Sequence, residues 1–427
     1  MDVSIVGSGY VGTTVAACLA DYGHEVVNVD VDESVVERIN AGETPVGEPG
    51  VEDLLAEYAG AGITATTEYH RIRETDVTLL ALPTPSNDDG SIDTSYVEAA
   101  AEAVGDVLAD TEGDHTLAVK STVIPGTTDR RIAPTVRERA GDTTVHVAAN
   151  PEFLRMGSAV EDFRHPDKIV IGGDRAAIET LTTLYGPIRE ATSASAHLVT
   201  TGLREAEMIK YANNAFLASK VSLINDIGNI CKEFGVDAYE IADALGLDHR
   251  ISEQFLRSGL GWGGSCFPKD TAALIAAARS RDYHPAVLEA AVDVNDRQPD
   301  RLLQRLDEHV DVTNERVAVL GLSFKPGTDD TRGSRAVPVI DGLQARGADI
   351  VAYDPVAVKT MRSRRPDVTY TDSPGEALDG AVAALIVTDW DEFDCIGDDY
   401  ERMDQPVVID GRRVDVPDWV TYDGLTW

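Results

Sequence analysis

Short apolar runs alternate with helical segments over the first part of the chain. Residues 2–6 read as a strand, residues 13–22 as a helix and residues 25–29 as a second strand. Further strands are predicted at 77–82, 116–119, 145–149 and 168–171, with helices between them. Apolar strands that alternate with helices build parallel sheets covered on both faces. We therefore expect a doubly wound parallel sheet that extends to about residue 200.

The pattern becomes mainly helical from about residue 203 to residue 297. Residues 203–226 contain neither glycine nor proline and predict one long spine helix with an apolar face. Lys210 and Asn214 stand four residues apart on this helix, so they share a face and can address the same ligand. Simple solvation of the two side chains is the alternative.

A second alternation begins after residue 315. Its predicted elements are strands at 316–321, 349–353, 383–387 and 406–409 and a helix at 336–345. The chain therefore predicts an α/β fold in which two doubly wound parallel-sheet domains are joined by a helical central domain. With 427 residues the chain exceeds one ordinary core. We place the domains at 1–200, 201–300 and 301–427.

A glycine-rich turn joins the first strand to the first helix. It reads Gly7-Ser8-Gly9-Tyr10-Val11-Gly12, and the second strand is followed by Asp30. The glycines permit a tight turn and a close approach to a pyrophosphate, the helix start offers N–H groups, and the acid can accept from a ribose hydroxyl. This is the fingerprint of a Rossmann domain. A carboxylate at this position repels a 2′-phosphate, so NAD is favoured over NADP.

The second alternation lacks the complete fingerprint after Gly321. We infer a second Rossmann-like domain that binds a nucleotide moiety and no dinucleotide. Its predicted sheet edge carries Phe324, Lys325 and residues 410–413, which read Asp-Gly-Arg-Arg. Lysine and arginine match the charge of a diphosphate. An ordinary surface arginine is the alternative, above all for Arg413.

The charge of the chain narrows its partners. The chain has 74 acidic against 37 basic residues and a net charge of -37, which makes nucleic acid an unfavourable partner. Lysine is scarce, and we interpret the acidic surface as adaptation to a high-salt cytoplasm, with an acidic protein of low-salt surroundings as the alternative. No apolar run reaches the roughly 20 residues of a membrane span, and we expect a cytoplasmic protein.

The cysteines provide the candidate nucleophile. The four cysteines Cys18, Cys231, Cys266 and Cys395 show no C-x-x-C spacing, so we expect neither a metal site nor a disulfide framework. Only Cys266 lies in a glycine-rich turn, with Lys269 and Asp270 directly behind it. A nucleophile combined with a dinucleotide site indicates oxidation through a covalent thioester. Nearby lysines favour the reactive thiolate.

Several motifs, taken together and in order, carry a resemblance to a known family. They are Gly7-x-Gly9-x-x-Gly12 with Asp30, Pro83-Thr84-Pro85, Lys120-Ser121-Thr122, Asn150-Pro151-Glu152-Phe153-Leu154, residues 207–216, residues 263–270, residues 321–326 and residues 329–332. Over essentially its full length the chain resembles the UDP-glucose/GDP-mannose dehydrogenase family. The resemblance implies that a C6 primary alcohol of a nucleotide sugar is oxidised to a carboxylate with two NAD.

The resemblance assigns roles by position. Implied catalytic residues are Cys266 as nucleophile, Lys210 and Asn214 at the oxyanion, and Asp270, Thr122 and Glu152 for water activation. Implied cofactor-binding residues are Gly7, Gly9, Tyr10, Val11, Gly12, Asp30, Thr84, Thr122, Lys269 and Arg332. Implied substrate-binding residues are Glu152, Phe153, Leu154, Arg155, Lys210, Asn214, Arg250, Phe255, Arg257, Gly263, Phe324, Lys325 and Arg412. Arg250 is implied to reach the sugar pocket of a second subunit, which makes a homodimer the smallest active unit.

Two positions depart from the family pattern. Met156 stands where members commonly carry a carboxylate, and Gly333 where an acid usually follows the arginine. The short loop at 153–155 favours UDP-glucose over GDP-mannose or a UDP-N-acetylhexosamine. A two-electron hydroxyacid dehydrogenase and a catalytically inactive NAD-binding sensor remain alternatives, and neither needs the loop of Cys266.

Overall fold

The computed structural model describes residues 1–109, 111–192 and 196–427. Its contacts divide the chain into two compact units, Met1–Asn213 and Asn214–Trp427. The predicted spine helix is present as α9, Leu203–Glu233, which begins within the first unit and ends within the second. Among the described helices, none is long and apolar enough to cross a membrane.

The first unit contains an eight-stranded sheet in the order β3-β2-β1-β4-β5-β6-β7-β8. The strands are β1 Asp2–Val6, β2 Glu25–Val29, β3 Ile63–Thr66, β4 Val77–Leu80, β5 His115–Val119, β6 Val145–Ala149, β7 Lys168–Gly173 and β8 His197–Thr201. All neighbours are parallel except β6 and β7, which are antiparallel.

Helices cover both faces of this sheet. They are α1 Tyr10–Asp21, α2 Glu33–Asn40, α3 Val51–Tyr58, α4 Ser95–Leu108, α5 Ala133–Arg139, α6 Ala159–Arg164, α7 Arg175–Leu184 and α8 Gly186–Ala191. Strand residues divide between two apolar clusters, because successive side chains point to opposite faces. Ile5 packs in one cluster and Val6 in the other. Burial on both faces explains why the strands read as continuous apolar runs.

The second unit contains a six-stranded, all-parallel sheet in the order β11-β10-β9-β12-β13-β14. Its strands are β9 Arg316–Leu320, β10 Asp349–Tyr353, β11 Thr369–Tyr370, β12 Ala383–Ile386, β13 Val407–Asp410 and β14 Thr421–Gly424. Its helices are α10 Ala238–Gly246, α11 Phe267–Arg279, α12 Ala286–His309, α13 Ala336–Ala345, α14 Val358–Arg364 and α15 Pro374–Leu378. Two apolar clusters again lie on the two faces of the sheet.

The predicted fold class of two Rossmann-like α/β sheets with a helical stretch between them is confirmed. The sheet of the first unit is not wholly parallel, since β7 runs against β6. An apolar run that is buried on both faces carries no sign of its direction, so the sequence could not show this reversal. β8 escaped prediction because its side chains are half exposed and partly polar. The first helix begins at Tyr10, three residues earlier than predicted.

Candidate active site

The glycine turn of the first unit has room only for glycine at two positions. Gly7 adopts a φ of +102°, in the left-handed region that side chains avoid. A Cβ on Gly12 would lie 1.9 Å from the carbonyl oxygen of Gly7. At Gly9, by contrast, a Cβ would meet no atom of the described residues within 4 Å, so the backbone faces open space there. This is the cradle that a pyrophosphate requires.

Asp30 completes this site. Its Oδ2 accepts from the amide of Ser8 at 2.6 Å and its Oδ1 from the amide of Asp32 at 3.0 Å. The carboxylate is half-buried at the carboxyl end of β2, and α1 begins at Tyr10, directly after the glycines. The residues present therefore fit NAD: a glycine cradle for the diphosphate, N–H groups at a helix start and an acid for the ribose.

Two further loops meet at the carboxyl ends of β4 and β5. The Thr84 hydroxyl donates to the carbonyl oxygen of Thr122 at 3.0 Å, and Ser121 accepts from the amide of Leu82 at 2.8 Å. Thr84 is buried, whereas Thr122 is half-buried. The structure thus brings together these two predicted cofactor-binding residues.

Glu152 and Lys210 form an ion pair. Lys210 Nζ donates to Glu152 Oε1 at 2.9 Å, and the two side chains are only 5% and 10% exposed. The second oxygen of Glu152 accepts from the amide of Leu154 at 2.6 Å. The Phe153 ring lies under two ammonium groups, Lys168 at 4.4 Å and Lys210 at 5.4 Å from its centre. The carboxylate and the ammonium therefore form a nearly buried ion pair beside an aromatic ring.

Arg155 lies outside this group. It is exposed and its guanidinium pairs with Asp162 at 2.5 Å. This pairing raises the pKa of Arg155. Its neighbour Met156 is half-buried.

Three polar residues of the first unit received no role in the sequence analysis, although Lys120 and Asn150 stand in motifs that carry the resemblance. Lys120 is buried and donates to Asn150 Oδ1 and to Tyr185 OH, both at 3.2 Å. Lys120 directly follows β5, two residues before Thr122, and Asn150 directly follows β6, two residues before Glu152. The buried lysine thereby ties two loops of predicted catalytic residues together. A lysine directly after an apolar strand was the available signal.

Glu207 was quoted in a motif but received no role. It is buried in α9 and accepts from the amides of Gly126 at 2.5 Å and Thr128 at 2.8 Å. Burial raises its pKa, and the bonds from Thr128 and Gly126 oppose that rise. Glu207 thus fixes the segment after Thr122 to the helix that carries Lys210.

In the second unit, Cys266 is exposed at the N-cap of α11. Ser265 Oγ lies 3.8 Å from its sulfur. A thiolate at a helix N-terminus is favoured by the positive end of the helix dipole. The position and the exposure suit a nucleophile.

The turn before Cys266 packs without room for side chains. A Cβ on Gly263 would lie 2.1 Å from the carbonyl oxygen of Gly333, and one on Gly264 would lie 2.8 Å from the ring of Phe324. Gly333 has a φ of +61°, and its own Cβ would approach Gly264 to 2.9 Å. The glycine at 333 is therefore a packing requirement of this loop.

Asp270 lies in the first turn of α11 and is 2% exposed. Its carboxylate accepts from Asn214 Nδ2 at 2.6 Å and from Lys269 Nζ at 2.7 Å. Its amide donates to the carbonyl oxygen of Cys266 at 2.8 Å. The structure therefore brings the predicted residues Asn214, Lys269 and Asp270 together behind the cysteine.

The arginines of the second unit differ in their surroundings. Arg412 donates from Nε to the Val387 carbonyl at 2.7 Å and from Nη2 to the Gly261 carbonyl at 3.4 Å. Arg332 pairs with Asp330 at 2.7 Å, which raises its pKa, and the charge of Cys266 adds to that rise. Arg332 thus lies near Cys266.

The contacts of Arg413 stabilise the fold of the second unit. It pairs with Asp237 at 2.7 Å and lies 4.4 Å from the centre of the Tyr239 ring and 5.7 Å from that of Trp427. Arg257 stacks on Tyr239 at 4.9 Å.

Three remaining predicted residues lie at the surface or close to it. Arg250 is exposed and pairs with Asp248 at 2.5 Å. Phe255 is 40% exposed and has a φ of 61°. Lys325 lies 5.7 Å from the ring centre of Phe324. All three residues belong to the second unit.

Comparison with known proteins agrees with this geometry. The UDP-glucose/GDP-mannose dehydrogenase family matches with its NAD binding domain at residues 1–189, its central domain at 204–297 and its UDP binding domain at 318–416. The chain is 55% identical to UDP-glucose 6-dehydrogenase AglM of Haloferax volcanii, with 97% of each chain covered. It is 38% identical to UDP-glucose 6-dehydrogenase of Rhizobium meliloti, with 100% of this chain and 98% of the relative covered.

A solved structure extends the comparison to the fold. The UDP-glucose dehydrogenase from the hyperthermophilic archaeon Pyrobaculum islandicum superposes with a TM-score of 0.91 at 41% identity, covering 100% of this chain and 98% of the other. The fold and the site define an NAD-dependent dehydrogenase that acts on nucleotide sugars. The chain belongs to the UDP-glucose/GDP-mannose dehydrogenase family.

Proposed function

We propose that this chain is a UDP-glucose 6-dehydrogenase that oxidises UDP-glucose to UDP-glucuronate and releases two NADH per sugar. The observation that carries the proposal is Cys266, exposed at the start of α11 with Asp270 buried one turn behind it. A dehydrogenase that removes only two electrons and stops at the aldehyde needs no such nucleophile. The names of the relatives from Haloferax volcanii and Rhizobium meliloti support UDP-glucose as the substrate.

NAD, when bound, supplies the acceptor for two electrons in each of two rounds. After the first round the sugar is an aldehyde, which offers no hydride until a group adds to its carbonyl carbon. The Cys266 thiolate adds there, forming a C–S bond and an oxyanion that takes a proton. The second round oxidises this thiohemiacetal to a thioester. Water then breaks the C–S bond and yields the carboxylate and the free thiol. In all, one alcohol and one water give up two hydrides, one in each round, and three protons, and leave one carboxylate.

The polar residues divide these tasks. We assign Lys210 and Asn214 to the oxyanion that forms at each addition, because an ammonium and an amide N–H both stabilise developing negative charge. The side chain of Glu152 is held in place by Lys210, and that of Asp270 by Asn214 and Lys269. Either carboxylate is suited to accept the proton of the attacking water, and Thr122 to orient that water.

The binding residues follow the family positions. We assign NAD binding to Gly7, Gly9, Tyr10, Val11, Gly12, Asp30, Thr84, Thr122, Lys269 and Arg332. We assign the sugar nucleotide to Glu152, Phe153, Leu154, Arg155, Lys210, Asn214, Arg250, Phe255, Arg257, Gly263, Phe324, Lys325 and Arg412. Of these, Arg412 is the best placed for phosphate, since it lies at the end of β13 and is held by backbone carbonyls rather than by an acid.

The domain organisation is part of the proposal. We keep three functional domains, an NAD-binding domain at 1–200, a helical domain with the cysteine loop at 201–300 and a UDP-binding domain at 301–427. The three matched family domains support this division.

We further propose a homodimer or a higher homo-oligomer in which Arg250 reaches the sugar pocket of a second subunit. Within the second unit, α9 exposes Phe216, Leu223 and Ile230 at 73%, 61% and 52%. Their seven-residue spacing places them on one side of the helix. An exposed apolar stripe of this kind is typical of an interface. Sedimentation of the purified chain tests the state, and a monomer that is fully active would contradict it.

We place the reaction in the cytoplasm of a cell with high internal salt. No disulfide joins any two of the four cysteines, all of which lie in the described part of the chain, and this fits a reducing compartment. The net charge of -37 supports the salt adaptation.

A panel of sugar nucleotides tests the substrate. UDP-glucose, GDP-mannose and UDP-N-acetylglucosamine are offered separately with NAD, and NADH is counted per sugar consumed. We expect two NADH with UDP-glucose and slow or no turnover with the others. Two NADH from GDP-mannose alone would change the assigned substrate to GDP-mannose and leave the family unchanged. One NADH per molecule of a hydroxyacid would overturn the four-electron chemistry.

A further inference from the structure

The segment that leads to Cys266 is buried although it has no regular secondary structure. Residues 256–263 form neither helix nor strand, yet Leu260 is 0% and Trp262 8% exposed. A buried backbone must find hydrogen-bond partners for its N–H and C=O groups, because each group left without one destabilises the fold. The partners of this segment are therefore informative.

Side-chain amides from α9 and α12 supply those partners at Gly259. The Gly259 amide donates to Asn225 Oδ1 at 2.8 Å, and its carbonyl accepts from Gln298 Nε2 at 2.7 Å. Both side chains are fully buried. Asn229 in turn donates to Gln298 Oε1 at 2.8 Å, which fixes the orientation of the glutamine amide.

Asn295 of α12 binds both backbone groups of Trp262. Its Oδ1 accepts from the Trp262 amide at 2.7 Å, and its Nδ2 donates to the Trp262 carbonyl at 3.1 Å. The Asn295 side chain thus makes the two backbone hydrogen bonds that a neighbouring strand would make in a sheet. Gly261 makes the approach possible, because a Cβ there would lie 2.4 Å from Asn295 Oδ1. The Trp262 indole also donates to Ser222 Oγ at 2.9 Å.

The Asn295 carbonyl lacks its usual partner within the helix because of a proline. Pro299 lies inside α12, four residues after Asn295, and has no N–H to give to the Asn295 carbonyl. Arg335 Nη1 donates to that carbonyl at 3.3 Å instead. Arg335 follows Gly333, whose carbonyl oxygen packs on Gly263. Arg335, directly before α13, therefore binds the backbone of the same asparagine whose side chain holds Trp262.

We propose that Asn295 is a positioning residue for Cys266. It sets the backbone of Trp262, and the tight glycine turn transmits that setting to the cysteine at the start of α11. Asn225 and Gln298 fix the upstream end of the same segment. The proposal rests on the proposed function only in that Cys266 is the nucleophile. It assigns a specific task to amide side chains that are buried within the second unit.

The test compares Asn295→Leu with Asn295→Asp in the full-length chain. Leucine has the shape of asparagine and binds neither group of Trp262, whereas aspartate keeps the acceptor for the amide. The first readout is the rate at which iodoacetamide alkylates Cys266, identified by peptide mass and followed against pH. The second readout is kcat and KM for UDP-glucose.

We expect Asn295→Leu to lower the alkylation rate at pH 7 and kcat by about tenfold or more, because a displacement of the reacting atom near 1 Å costs up to about a hundredfold. KM for UDP-glucose should stay within about threefold, since the proposal leaves ground-state binding intact. Asn295→Asp should recover part of both losses. A merely structural role would lower the melting temperature without changing the pH profile of alkylation.

Phe393→Leu is the matched control. Phe393 is fully buried in the apolar cluster on the other face of the second sheet, so its truncation destabilises the same unit. It should lower the melting temperature while the alkylation of Cys266 and kcat stay unchanged. The proposal is overturned if Asn295→Leu behaves like this control, with lost stability alone.

A second variant covers the case in which Asn295→Leu does not fold. Gln298→Met keeps the shape of glutamine and removes the donor to Gly259, and it should lower alkylation and kcat in the same direction by a smaller factor. Unchanged values in a folded Gln298→Met protein would then overturn the proposal. If Asn295→Leu alters alkylation while the unmodified enzyme fails to oxidise UDP-glucose, the proposed function fails and the positioning role stands.

Discussion

The two sheets begin in the same way and end with different chemistry. In each unit a strand leads into a glycine of positive φ, Gly7 at 102° and Gly321 at 95°, and an acid comes directly after the next strand. Each glycine amide donates to the last residue of the neighbouring strand, at 2.8 Å in both units. The acids are Asp30 and Asp354, and each accepts from the residue after the glycine. The difference lies in what else each acid does.

Two backbone amides of the described residues donate to Asp30, and the side chain stays half exposed. Asp354 is 2% exposed and accepts from six donors. These are the amides of Leu322, Ser323, Val356 and Ala357, the Ser323 hydroxyl and the Trp390 indole. Donors of the protein itself surround the carboxylate of Asp354, so a ribose hydroxyl cannot reach it.

The helices differ as well. In the first unit α1 begins three residues after Gly7, whereas in the second unit α13 begins only at Ala336. The first glycine turn therefore faces the positive end of a helix and the second does not. A strand, a glycine and an acid do not by themselves make a dinucleotide site. The helix start and an accessible acid decide it.

The largest expected effect comes from closing the first glycine turn. Gly12→Ala places a methyl group 1.9 Å from the Gly7 carbonyl and must open the turn. We expect the dissociation constant for NAD to rise about a hundredfold, which is about 2.7 kcal/mol. Gly321→Ala is the matched change, with its Cβ 2.5 Å from Thr388, and should lower the melting temperature without affecting NAD binding. Titration with NAD, followed by the quenching of tryptophan fluorescence, measures the dissociation constant of both variants. Equal effects on NAD binding would contradict the distinction between the two turns.

The acids provide the next contrast. Asp30→Asn should weaken NAD binding about tenfold and reduce the discrimination against NADP, because the repulsion of a 2′-phosphate is removed. Asp354→Asn should leave the ratio of NAD to NADP unchanged but destabilise the second unit by about 2–4 kcal/mol, since an amide nitrogen cannot accept from the donors around it. Binding constants and urea unfolding separate the two outcomes. A change of cofactor preference in Asp354→Asn would contradict this division of roles.

Acid should affect the two units in different pH ranges. Burial lowers the pKa of His115 in the first unit from 6.5 to about 4, and its ring contacts Thr78 Oγ1 at 2.7 Å. The folded ring stays neutral while the unfolded chain binds a proton. The free energy of unfolding therefore falls as the pH drops from 6.5 towards 4, by up to about 1.4 kcal/mol per pH unit.

The second unit has a carboxyl group, Asp423, whose pKa is also lowered but from a more acidic starting value. Burial would raise the pKa of Asp423, yet hydrogen bonds from Lys232 and His309 hold it below 3.8. Its contribution to stability is lost only as the pH falls below that value. Thermal unfolding between pH 7 and pH 4 checks the contrast, with His115→Gln as the control. The account fails here if His115→Gln keeps the full pH dependence.

The smallest effect is that of salt, and it should be shared by both units. Acidic residues occur along the whole chain, so added counterions reduce self-repulsion everywhere. We expect the melting temperature to rise by at least about 3 °C between low and molar KCl, which is about 1 kcal/mol for units of this size. An unchanged midpoint would remove the support for adaptation to high salt.

Local signals made the first glycine turn and Asp30 predictable, since strand, turn, helix and strand lie within thirty residues. The helix Ala336–Ala345 and the strand Asp349–Tyr353 were predicted with their observed bounds for the same reason. The reversal of β7 was not predictable, because strand direction depends on partners distant in sequence.

The contacts that support the candidate site could also not be predicted from the sequence. Cys266 and Asp270 are four residues apart and share a motif. Asn295 supports the same loop from a helix 29 residues further along, and nothing near it in the chain marks that role. Lys120, Asn150 and Tyr185 come together from three separate elements. Such contacts follow from tertiary packing, which a single sequence does not show.

Mass spectrometry of the enzyme during turnover tests the central claim most directly. UDP-glucose and NAD are mixed with the enzyme, the reaction is quenched in acid within the first turnovers, and the peptide that contains Cys266 is weighed. The account predicts a sugar-nucleotide adduct on Cys266 that disappears as UDP-glucuronate forms, and its absence from an inactive Cys266→Ala variant. Full turnover to UDP-glucuronate by Cys266→Ala, with no adduct in the unmodified enzyme, would contradict it.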